Sequence, residues 1–167
     1  MKHIFMFLLS AVILIGCGGK SEEELLKNAT NLVKNKKLVE AVAAYEELIK
    51  EYPESKNTEF ALFELGKIFQ SKAIKSNADD VNLKKAIMYY TRLVEQFPKS
   101  EKSPNSLFMT AFIYANELKM LDSAKIRYEE FLSKYPNNDL AISAKYELDN
   151  LGVPPEQILE NLNKKSK

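Results

Sequence analysis

From Glu22 to Leu151 the apolar residues recur at intervals of three and four, with Lys, Glu, Asp and Asn between them, the pattern of amphipathic helices. Within it one arrangement appears three times. Ala41, Ala86 and Ala124 are each followed four residues later by a Tyr (Tyr45, Tyr90, Tyr128), and eight residues beyond each Tyr stands a Pro (Pro53, Pro98, Pro136) preceded by an aromatic (Tyr52, Phe97, Tyr135). The apolar pairs Leu48-Ile49, Leu93-Val94 and Phe131-Leu132 lie between Tyr and Pro. A small Ala lets a neighbouring helix approach and the Tyr fills the next layer. Pro stops the helix because it has no N–H to donate and disfavours helix in the residue before it. Aromatic residues at this spacing are assigned to packing.

The Ala, the aromatic four later and the Pro twelve later resemble the second-helix signature of the tetratricopeptide repeat. Leu62, Leu65-Gly66 and Phe69 match the first helix of that family; Leu107, Thr110-Ala111 and Tyr114 match it with Ala for Gly, and Leu25, Ala29 and Leu32 match more distantly. The resemblance implies an all-α fold, a superhelix of about three helix hairpins over residues 22–55, 59–100 and 104–138. Relative to the first copy (Leu32 to Ala41), the first-to-second-helix distance is stretched by eight residues in the middle copy (Phe69 to Ala86) and by one in the third (Tyr114 to Ala124). The middle stretch predicts a long hairpin around Ser76-Asn77-Ala78-Asp79-Asp80, with Asn82 or Asp80 capping the helix that follows.

A further periodic segment, Leu140, Ala144, Leu148 and Leu151, predicts a capping helix within 139–152 that solvates the end of the stack and stops at Gly152. Pro154-Pro155 then opens a short helix carrying Ile158, Leu159 and Leu162, inside a terminal segment 153–167 that ends in a tail. The expectation is seven main helices and one small one.

The beginning of the chain is different. Lys2 is followed by an apolar run from Ile4 to Ile15, too short to span a bilayer comfortably and suited to an export signal. Leu14-Ile15-Gly16-Cys17 resembles the bacterial lipobox. That resemblance implies a signal peptide over 1–16, cleavage between Gly16 and Cys17, a diacylglyceryl thioether on the Cys17 sulfur and a lipidated tether over 17–21. Gly18 stands where Asp would retain a Gram-negative lipoprotein in the inner membrane, which by resemblance favours the outer membrane, periplasmic side. The tether reaches at most about 14 Å, so the folded part sits near the headgroups. Lys20, Lys27, Lys34, Lys36 and Lys37 are candidates to touch anionic lipid.

Charge and composition narrow the chemistry. With 24 basic against 23 acidic residues among 167, the chain has no global field for nucleic acid, and no local run of Lys and Arg interleaved with aromatics supplies one. The single His (His3) and single Cys (Cys17) both fall in the first seventeen residues. A zinc site, an intrachain disulfide and a nucleophile–histidine pair therefore lack their parts. No catalytic residue, metal or cofactor is expected.

The Tyr/Phe-Pro-x-Ser/Asn ends with their longer lead-ins look like the repeats of two periplasmic families. One is the BamD-type lipoprotein of the outer-membrane β-barrel assembly machine, which the lipobox favours; the other is the TolA-binding protein of the Tol-Pal system, which the repeat number favours. The expected role is a non-enzymatic, lipid-anchored periplasmic adaptor for protein partners in outer-membrane and β-barrel assembly. A Tol-Pal-type envelope or cell-division accessory, and a lipoprotein binding a lipid or glycan, are the alternatives. First helices of stacked repeats line a concave wall suited to peptides. Counting from the small residue of each first helix puts Leu26, Thr30 and Val33, then Phe63, Lys67 and Gln70, then Phe108, Phe112 and Ala115 with Asn116 adjacent, on that groove.

Overall fold

The structure, a computed structural model, describes residues 19–154 and 156–160. Cys17, the segment before it and Leu162 lie outside the described residues. Seven α-helices follow one another: α1 (Glu22–Lys34), α2 (Leu38–Glu51), α3 (Lys56–Gln70), α4 (Asp79–Gln96), α5 (Ser103–Phe112), α6 (Leu121–Lys134) and α7 (Ala141–Asp149). Residues 156–160 are helical as well. Each helix packs chiefly on the next, and α1 also touches α3, so three hairpins stack as tetratricopeptide repeats do.

The repeated residues are the centre of this stack. Ala41, Ala86 and Ala124 are wholly buried, Tyr45, Tyr90 and Tyr128 at most 1% exposed, and Leu48, Leu93 and Phe131 wholly buried behind them. One core cluster joins the first two hairpins and a second joins the third hairpin to α7; Met109 and Tyr114 pack against both.

Local chemistry sets the helix ends. Ser21 caps α1 in a capping box: its hydroxyl accepts from the Glu24 N–H at 3.3 Å, and the Glu24 carboxylate accepts from the Ser21 N–H at 3.0 Å. Where one repeat passes to the next, the carbonyl of the residue before Pro is a fixed point. The Tyr52 carbonyl accepts from the Ser55 N–H at 3.2 Å and from the Thr58 hydroxyl at 2.7 Å. The Phe97 carbonyl accepts from the Ser100 N–H at 2.9 Å and the Ser103 hydroxyl at 2.6 Å. At the third such corner the Tyr135 carbonyl keeps the Asn138 N–H at 3.1 Å, but the position six residues on is Ala141 and has no hydroxyl to give.

The two stretched connections resolve differently. In the middle repeat the loop runs over 71–78 and α4 already starts at Asp79, so Asp79 and Asp80 are helical and Ala78 occupies the N-cap without a side-chain bond. Neither expected cap is one. Asn82 is fully buried; its amide donates to the Ile74 carbonyl at 3.1 Å and its side-chain oxygen accepts from Asn77 at 3.1 Å, tying the loop from the inside. Asp80 pairs with Lys84 one turn on at 3.1 Å. In the third repeat the extra residue is taken up within the helix: α5 continues into a π-helical turn, Ile113–Glu117, closed by the Leu118 N–H on the Ile113 carbonyl at 3.0 Å.

At the far end α7 buries Ala144 against α6 yet leaves Ile142 84% and Tyr146 48% exposed, so its outer face is less polar than a solvating cap requires. Gly152 follows with φ +77°, and a Cβ there would meet Leu121 Cδ1 at 2.9 Å.

Candidate functional site

The first helices α1, α3 and α5 form one wall, and the positions counted from the sequence fall along it in three different environments. Leu26 and Thr30 border a pocket of about 270 Å³ whose other side is Phe60 with Lys56, Asn57 and Glu59 at the start of α3, and Lys102 just before α5. Phe60 and Lys102 escaped the sequence count. Phe60 lies three residues before Phe63, one turn along the same face, and extending the count by a turn reaches it.

Further along, the groove positions hold the fold together. The Thr30 hydroxyl donates to the Leu26 carbonyl at 2.8 Å and is also hydrogen-bonded to Tyr45, whose hydroxyl is pushed above its ordinary pKa, chiefly by burial. Gln70 accepts from the Tyr90 hydroxyl at 2.9 Å while its amide lies 3.7 Å from Met109 Sδ, bridging α3 to α4 and α5. Burial raises Tyr90 and Tyr128 as well. The corresponding positions in the third repeat, Phe112 and Ala115, cannot hydrogen-bond, and among the described residues the buried Tyr128 hydroxyl has no partner. Phe63 is half-buried with its ring 5.9 Å from that of Tyr90, and Lys67 sits 5.7 Å above the Phe63 ring while pairing with Glu64 at 2.8 Å. Val33 and Phe112 are half-buried against the core.

Phe108 corrects the count. It is 8% exposed and meets Tyr128 and Phe131 edge-on at 5.8 and 6.0 Å, so it fills the third hairpin instead of lining a groove. The extra residue of this repeat enters after it, in the π turn Ile113–Glu117, and so bears on Ala115 and Asn116 and not on Phe108. Ala115 and exposed Asn116 border a separate hollow of about 500 Å³ between that turn, α7 and Ile158.

The start of the described chain is pinned. The Tyr52 hydroxyl donates to the Lys20 carbonyl at 3.1 Å, and Lys20 Nζ lies 3.2 Å from the Glu47 carboxylate. Lys20 is thereby occupied, and the first turn of α1 that follows it is acidic, with Glu22, Glu23 and Glu24. Lys34, Lys36 and Lys37 lie at the opposite end of α1, about 20 Å away at 1.5 Å per residue. The five lysines do not form one surface for headgroups.

The raised tyrosines belong to packed cores, and among the described residues no group of three or more His, Cys, Asp or Glu could hold a metal ion. No described helix is long and apolar enough to cross a membrane. The wall instead offers apolar hollows rimmed by charge, and the class of protein is a tetratricopeptide-repeat solenoid. Comparison with known families agrees. A tetratricopeptide-repeat model matches residues 105–138. The YfiO model, described as an outer membrane lipoprotein, matches residues 17–118, more than half of the chain, and the chain belongs to that family. No curated protein matches it.

Proposed function

We propose that the protein is a non-enzymatic adaptor, anchored through lipid on Cys17 after removal of residues 1–16, which gathers protein partners on the periplasmic side of the outer membrane during β-barrel assembly. The observation that carries this reading is the outer membrane lipoprotein family match, which opens at residue 17, joined to a repeat solenoid. The pinned start adds geometry. With Lys20 held by Tyr52 and Glu47, only Gly18 and Gly19 stand between the anchor and the folded stack, so the α1 start and the α2 end face the bilayer. The hollow at Leu26, Thr30, Phe60 and Lys102 then opens beside the membrane, where an apolar side chain of an extended peptide fits against Leu26 and Phe60 and an acidic group meets Lys102 or Lys56.

The test is metabolic labelling with a fatty-acid probe, followed by purification of the solubilised protein and identification of what comes with it. Labelling that is lost in Cys17→Ser, together with co-purifying β-barrel assembly subunits, is the expected result. Equal labelling of Cys17→Ser overturns the anchor, and recovery of Tol-Pal subunits in place of assembly subunits overturns the assigned process.

A further inference from the structure

We draw no further inference here: the strongest candidate, the hollow of about 500 Å³ between the π turn, α7 and Ile158, sets the ammonium of Lys119 against the carboxylate of Glu147 around an apolar wall, and nothing in the structure shows what covers it.

Discussion

A Cβ on Gly66 would lie 2.3 Å from Tyr90 Cε1, so α3 and α4 meet closer than a side chain at that position permits. Tyr90 has little room to retreat, since its hydroxyl is held by Gln70 and its ring packs on Phe63. The equivalent residues of the other hairpins, Ala29 and Ala111, are wholly buried with their methyl groups in place. Gly66→Ala gains helix propensity of about 1 kcal/mol but forces apart a packed ring, and the expected result is a net loss of about 1–2 kcal/mol. Urea unfolding measures it; a midpoint at or above that of the parent protein would show that Tyr90 yields easily.

The repeat was legible because Ala, Tyr and Pro each act locally and recur at fixed distance: burying Tyr45, Tyr90 and Tyr128 needs only the helical period. The stretched connections were legible as lengths but not as conformations. Asn82 read as a cap because Asn favours helix starts, yet the start was fixed three residues earlier and Asn82 turned inward to bond Ile74 and Asn77. The groove suffered from the same limit. A one-residue excess near Tyr114 gives no sign in sequence of whether a loop or the helix absorbs it; the π turn takes it up at Ala115 and Asn116, while Phe108, ahead of that turn, is buried by its packing on Tyr128 and Phe131. Lys102 reaches the Leu26 hollow from before α5, outside any count made along a helix.

The hydroxyls at Thr58 and Ser103 fasten consecutive repeats through the Tyr52 and Phe97 carbonyls. Thr58→Val and Ser103→Ala each remove one buried hydrogen bond and are expected to cost about 1–2 kcal/mol, adding in the double variant because they share no partner. The third corner lacks this bond only because Ala141 stands six residues after Tyr135. Ala141→Ser is expected to stabilise the end of the stack by about 0.5–1 kcal/mol. Denaturant unfolding of all four proteins is the measurement, and a destabilised Ala141→Ser would refute the equivalence of the corners.

Glu130 gives a pH dependence with a definite sign. Partial burial works to raise its carboxyl, but hydrogen bonds from Lys134 and Arg127, both at 2.7 Å, outweigh this and hold it below the ordinary value. A carboxyl whose folded pKa is depressed adds stability above its unfolded pKa of about 4.3 and loses it as the pH falls through the folded value. Glu130→Gln is therefore expected to melt lower than the parent at pH 7, with the difference shrinking steadily below about pH 4. A difference that stays constant down to pH 3 would mean that Glu130 acts by packing and not by charge.

If the proposed hollow at Leu26 receives a partner, residues along the first-helix wall are expected to behave in opposite ways. Phe108 fills the third hairpin, so Phe108→Ala is expected to cost about 3–5 kcal/mol of stability, enough to lower the melting midpoint strongly whatever the partner does. Lys102 lies at the mouth of the Leu26 hollow, just before α5, and its ammonium takes part in no ion pair among the described residues. Lys102→Glu should leave the melting midpoint nearly unchanged. If a partner places an acidic group in the hollow, that substitution turns an attraction into a repulsion across a half-buried contact and should weaken retention at least tenfold, about 1.4 kcal/mol. Leu26→Ala stands between the two, because Leu26 is half-buried against the first core cluster and also borders the hollow. Melting curves and pull-downs on the three variants give the answer together. Retention that tracks stability across all three would remove the hollow from consideration as a binding site, whereas loss in Lys102→Glu at unchanged stability would establish that the charge at its mouth acts on the partner.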